Sequence, residues 1–241
     1  MSAAFWGACL LALIHLAAGR VNIAEAGRAS WRSFAGGVAT AYVFIHILPV
    51  ITRFATLAGE DADRWQRGEW VFATALAGTC IYYAIEKAIP MHGPAPKRGD
   101  GPTAWARPWA NFGVHILAFG FYNFLIGYLL SDHPARNMVD AAAVYGALGL
   151  HMLVVDKDLR LRHEKPYDRI GRWVMAAAVV AGAAAGQVRL VPETAMIAGF
   201  ALLAGGMMLN VLKEELPARG KGRLIPFLAG AGLFGTLFII A

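Results

Sequence analysis

The chain has 241 residues, of which 58% are hydrophobic and 27 are glycine, while only 16% are charged. A soluble domain carries about 25% charged residues, and a fold of this size could not hide so much apolar surface, so a water-soluble enzyme and a nucleic-acid binder are both excluded. A membrane-crossing helix needs about 20 mostly apolar residues, so the composition suits an all-α polytopic membrane protein, and the net charge of +6 reports orientation before it reports partners.

Taken in chain order, the apolar stretches predict eight helices: Ala3–Ala18, Ser33–Thr52, Trp70–Ile89, Trp109–Leu130, Met138–Val155, Trp173–Val188, Thr194–Leu212 and Leu224–Ala241. Together they make a single transmembrane domain over 1–241. The first ends in small residues, as a signal peptide does. No Lys or Arg precedes it, however, and a signal's leading region needs one, so it reads as a spanning helix. Cys9 and Cys80 sit in apolar runs without a partner motif and read as buried small hydrophobes. Glu86 and Lys87, near a helix end, read as an interfacial pair. The segment Pro90–Pro108 holds five prolines and several glycines and reads as a flexible cytoplasmic loop. In the fourth helix Gly113, Gly120 and Gly127 recur every seven residues along one face, which favours close helix packing. The sixth helix carries the pair Gly182 and Gly186. Between the fifth and sixth, Asp156–Arg172 mixes basic and acidic residues and reads as a solvated loop at the membrane surface.

Orientation follows from the basic residues. The loops after helices one, three, five and seven hold 17 Lys and Arg, and those after helices two, four and six hold 5. Short loops rich in Lys and Arg stay in the cytoplasm, which places both termini outside. Trp31, Trp105, Trp109 and Trp173 then fall at inner helix ends, and Trp6, Trp65 and Trp70 at outer ones, as an aromatic belt requires.

Helices two and seven share a pattern. The second opens with Ala35-Gly36-Gly37 and ends at Leu48-Pro49, with His46 three places before the proline. The seventh contains Ala204-Gly205-Gly206 and ends at Leu216-Pro217, with Glu214 three places before. Similar sequences in opposite orientation are the mark of an inverted-repeat transporter. Ionisable groups within hydrocarbon are costly and default to functional candidates. His15, His46, His115, Asn123 and His151 lie in spans. His15 and His115 read as neutral imidazoles bonded to a neighbouring helix, and His46 shares a face with Tyr42.

Eight helices with both ends outside, a long cytoplasmic loop after the third and an inverted repeat resemble the ZIP family of divalent-metal transporters, as does Ser33–Pro49 with its Gly-rich start and Leu-Pro end. The resemblance implies a 3+2+3 arrangement of helices. It also implies a metal site in mid-membrane, built from H-N-x-x-D-G on the fourth helix and H-E-x-x-H-E on the fifth. This chain has Tyr122-Asn123-Phe124-Leu125-Ile126-Gly127 and His151-Met152-Leu153-Val154-Val155-Asp156 at the corresponding places. Asn123, Gly127 and His151 match, and Asp156 replaces a longer carboxylate. Tyr122, Ile126, Met152 and Val155 stand where the family has ligands, so the usual two-metal centre cannot be built. The resemblance thus leaves Asn123, His151 and Asp156 as candidate metal ligands. Met152 is a candidate soft ligand, and His46 and Glu214 lie along the pathway.

The expected function is ZIP-like transport of a divalent cation such as zinc, iron or manganese across a bacterial inner membrane. The competing expectation is a degenerate relative with a structural or partner-binding role. No HExxH, GxSxG or paired mid-membrane carboxylates mark an enzyme, and no cofactor beyond the cargo is expected. The expected partners are the lipid bilayer, the transported cation and a second copy of the chain as a homodimer, with no nucleic acid.

Overall fold

The computed structural model describes residues 2–20, 25–57, 68–88, 102–132, 135–215 and 222–241. These are helical almost throughout, with no strand among them. The helices are α1 (Ala3–Ala17), α2 (Glu25–Ala41), α3 (Leu48–Leu57), α4 (Glu69–Ala88), α5 (Pro102–Asp132), α6 (Met138–Pro166), α7 (Arg172–Gln187), α8 (Glu193–Asn210) and α9 (Leu224–Ile240). Five helical stretches are long and apolar enough to cross a membrane: Ala3–Arg20, Ala29–Leu57, Trp109–Ser131, Met138–Gln187 and Glu193–Lys213. Glu69–Ile85 and Leu224–Ile240 are shorter apolar helices. This is the helix content of an integral membrane protein, and its outer faces carry large apolar side chains such as Leu76, Leu117 and Ile239 in exposed positions.

Local sequence sets where the helices begin and bend. Ser2 caps α1, its hydroxyl accepting from the Phe5 amide at 3.3 Å. Asn137, in extended backbone, caps α6 by accepting from the Val139 and Asp140 amides at 2.9 Å each. Helices α2 and α3 are one continuous rod joined by a wide π-type turn over Tyr42–Ile47, and α8 runs into another over Val211–Glu215. Each wide turn comes just before a proline in the sequence, Pro49 or Pro217. A proline inside a helix lacks the amide hydrogen and crowds the carbonyl four residues back, and the extra residue of a π turn relieves both.

The segment expected as a solvated loop, Asp156–Arg172, is helical instead. It continues α6 to Pro166, with a break at His163 (φ −137°, ψ 42°), and passes through a π-type turn over Tyr167–Gly171 into α7. Pro166 accounts for a break one turn earlier. The chain folds back there. The Tyr167 hydroxyl bonds Asp156, although eleven residues along a straight helix would separate them by about 16 Å. The charges that suggested a loop satisfy one another along the helix, Arg162 with Asp158 at 2.7 Å and Arg160 with Asp168 at 2.8 Å. The proposed linker 90–108 is also shortened. Residues 102–108 belong to α5, and 90–101 lie outside the described residues.

Helices pair through glycine. α2 runs alongside α9 in the same direction, Ser33 meeting Arg223 near one end and Tyr42 meeting Phe238 near the other, and the approach is close: a methyl group on Gly37 would overlap the Phe227 carbonyl and one on Gly230 the Phe34 carbonyl. α4 and α8 pair likewise, Gly205 against the Ala75 carbonyl and Gly78 against that of Leu202, with the Thr79 hydroxyl donating to the Gly205 carbonyl at 3.0 Å. α5 and α7 meet at Gly127 and Gly182, and Gly186 packs on Tyr128. Such contacts replace the hydrophobic drive that lipid removes. The expected stripe on the fourth helix closes only at its end, since nothing lies near Gly113 and Gly120 meets only the side chain of Val174. Cys9 is half-buried and Cys80 is exposed on the apolar outside, so the expectation of burial fails for Cys80.

Candidate functional site

Four helical segments, α1, α5, α6 and the turn after α6, bring one polar side chain each into the apolar interior: His15, Asn123, Asp156 and Tyr167. None is more than 5% exposed. His15 is the hub. Its Nδ1 lies 2.9 Å from both carboxylate oxygens of Asp156, and its Nε2 lies 2.8 Å from Asn123 Oδ1. The Asn123 amide nitrogen donates to the Phe119 carbonyl at 2.9 Å, which assigns its oxygen to His15. The Tyr167 hydroxyl donates to the same carboxylate. Both ring nitrogens of His15 therefore face acceptors, and a proton must lie between Nδ1 and Asp156 to join them. A buried carboxylate is tolerated only with such partners.

Beside this cluster is a cavity of about 30 Å³, enough for one or two waters. Its walls include His15, Asn123, His151, Met152 and Asn210. Tyr82, also in the wall, bonds Asn210 across α4 and α8. A second cavity of about 580 Å³ lies at the end of the bundle where α3 ends and α6 and α8 begin. Its walls are mainly apolar, with His46, Arg53, Arg136, Asp140 and Glu193 among them. Ile126 and Leu203 line both cavities, so the two adjoin at these apolar side chains.

Of the residues singled out from sequence, Asn123, His151 and Met152 share the small cavity. Asp156 is buried behind His15, contrary to a hydrated place at a helix end. His46 lines the large cavity and stacks on Tyr42, ring centres 5.1 Å apart, and also lies against Phe238. The side chain of Glu214 lies outside the described residues, its backbone being in the wide turn after α8. No group of three or more His, Cys, Asp or Glu side chains placed to hold a metal ion occurs among the described residues. His115 does bond a neighbouring segment, its Nδ1 being 2.8 Å from His163 Nε2.

The sequence reading missed His15 and Tyr167 as members of the cluster. A signal was present: a histidine within a span needs acceptors, and Asp156 is the one carboxylate within reach of the fifth predicted span's end. The fold-back that turns Asp156 inward was not legible. No family model and no curated protein matches the chain.

Proposed function

We propose that the chain is a ZIP-like membrane carrier that moves a divalent cation through the centre of the bundle. The observation that carries this reading is the pair of adjoining cavities, one opening at a bundle end and the other beside buried polar groups, with Ile126 and Leu203 lining both. An ion cannot cross hydrocarbon without polar side chains; His46 lines the large cavity, Asn123 and His151 line the small one, and Asp156 lies behind His15 in the wall of the small one. Eight spans are counted when the Met138–Gln187 stretch is read as two and the shorter helices Glu69–Ile85 and Leu224–Ile240 are included, and both termini then lie outside, in a bacterial inner membrane.

The helix pairing supports a 3+2+3 inverted repeat. A two-fold exchanging spans one with six, two with seven, three with eight and four with five turns the α2–α9 pair into the α8–α4 pair. One register shift carries Phe34 and Gly37 onto Leu202 and Gly205, and another carries Phe227 and Gly230 onto Ala75 and Gly78. The first of these shifts also superposes Pro49 on Pro217, His46 on Glu214 and one wide turn on the other. Transporters with inverted repeats place their sites near the mid-plane between repeats.

The cargo site in this reading is Asn123, His151 and Asp156 with Met152 beside them. A cation reaching Asp156 has to break its pairing with His15. That closed pairing, and the lack of a three-ligand group among the described residues, favour the second reading, a non-transporting relative with a structural or partner-binding role. Uptake of labelled Zn²⁺, Fe²⁺ and Mn²⁺ into proteoliposomes separates the two. The carrier reading expects saturable uptake of at least one ion, abolished by His151→Ala in protein that still folds and inserts, with His115→Ala losing much less. Uptake of none of the three, or uptake indifferent to His151→Ala, selects the second reading.

A further inference from the structure

The helical segment that replaces the expected loop leaves two of its cations unpaired. From Glu164 the backbone runs as one rod through the wide turn into α7 and on to Gln187. Tyr167, Gly171 and Met175 are buried and recur every fourth residue, so they mark the face of this rod that meets the bundle. Lys165, Arg169 and Trp173 each stand two residues before one of them, which places them on the opposite side. All three are exposed, Trp173 by 55%.

Charge on this outer face is not balanced. Arg160 pairs with Asp168 at 2.8 Å and Arg162 with Asp158 at 2.7 Å. The side chains of Lys165 and Arg169 make neither an ion pair nor a hydrogen bond among the described residues. Glu164 is exposed beside Lys165, yet neighbours in sequence point about 100° apart on a helix and do not face each other. The Arg172 guanidinium lies over the Trp173 ring at 5.5 Å, which sets a third cation at the edge of the row.

Depth decides what meets these charges. Trp173 opens the apolar run Trp173–Val188, and tryptophan settles at the headgroup level of a bilayer. At about 1.5 Å per residue, Arg169 is about 6 Å and Lys165 about 12 Å further out along the rod. The polar layer on each side of the hydrocarbon is about 5–8 Å thick, so Arg169 lies within it and the long Lys165 side chain reaches back to its edge. Neither residue lines either of the two cavities, so the proposed ion path does not use them.

We propose that this face binds the headgroup of an anionic phospholipid, its phosphate accepting hydrogen bonds from Arg169 and Lys165 and its glycerol end lying against Trp173. Charge-assisted bonds to phosphate supply the attraction, and each basic residue near an anionic lipid surface strengthens binding by about fivefold. A zwitterionic lipid offers the same phosphate with a cation attached, which the row of basic side chains repels.

The test titrates the full chain in nonionic detergent with phosphatidylglycerol and with phosphatidylcholine of the same acyl chains, counting bound lipid by native mass spectrometry. Phosphatidylglycerol should bind at least about tenfold more tightly than phosphatidylcholine. The double variant Lys165→Gln with Arg169→Gln should remove that preference without changing the melting temperature, since both side chains are exposed and unpaired. Arg32→Gln with Lys87→Gln removes the same charge at two exposed residues elsewhere and should leave the preference in place. Should the first double variant not fold, each of its single substitutions should lower phosphatidylglycerol affinity about fivefold. Equal binding of the two lipids, a preference unchanged in the Lys165 and Arg169 variants, or an equal loss in the Arg32 and Lys87 control overturns the proposal. Displacement of the lipid by millimolar inorganic phosphate assigns the site to free phosphate and overturns the lipid reading.

Discussion

Around the mid-bundle cavity His15, Asn123, Asp156 and Tyr167 have closed on one another, and what space remains is about 30 Å³. In the wall of the end cavity Asp140 has a single oxygen engaged, the other is buried with no donor among the described residues, and the space is about 580 Å³. Both regions hold a buried carboxylate on α6, and both lie among apolar side chains. The difference is what pairs with the carboxylate. Asp156 meets an imidazole brought by α1 and a hydroxyl brought by the turn after α6, so its cost is met within the protein and the bundle can close around it. Asp140 meets only its own helix entry and a mostly exposed arginine, so the surrounding helices do not close.

The contrast can be broken by substitution. The largest effect is expected for Asp156→Ala, which strands His15 and Tyr167 in the interior. Removing one partner of a buried pair costs about 3–5 kcal/mol, so thermal unfolding in detergent should show a large drop in melting temperature. The double variant Asp156→Leu with His15→Leu should regain part of it, since apolar side chains in place of a buried pair are often neutral or better. A double variant no more stable than Asp156→Ala would show that the network is not held together by this pair.

A smaller effect is expected for Asn123→Leu. It removes the acceptor of His15 Nε2 and leaves that donor buried, a loss of about 1–3 kcal/mol read by the same unfolding measurement. Smallest is Arg136→Ala at the end cavity. The arginine side chain is 71% exposed and its bond to Asp140 is long at 3.3 Å, so water screens the pair and about 1 kcal/mol or less should be lost. If Arg136→Ala proved as damaging as Asn123→Leu, the end cavity would be as tightly determined as the centre, and the contrast drawn between them would fail.

The all-helical fold with long apolar helices was legible in the sequence. Periodic small residues at Gly37, Gly182 and Gly205 mark helix contacts because close approach in lipid needs them wherever the partner comes from. The proline-ended pattern of helices two and seven was legible for a similar local reason, as a proline disturbs its own preceding turn. The contact stripe of Gly113, Gly120 and Gly127 was over-read. A glycine makes close approach available, yet only Gly127 is met by a neighbouring backbone.

What the sequence alone determined is therefore the local and compositional part: an apolar, helical chain built for a membrane, its approximate helix ends, and Asn123 and His151 as polar groups within apolar helices. Tertiary structure decided the rest. Asp156 reads as hydrated from its place among charged neighbours, and it is buried because Pro166 helps break the helix at His163 and the returning chain seals it with Tyr167. His15 reads as an imidazole bonded to a neighbouring helix and becomes the hub of a cluster because α1 lies beside both α5 and α6. Asp140 was not singled out by the sequence at all. It lines a cavity only because helices distant in sequence leave space there, and no pattern along the chain encodes a space between chain segments.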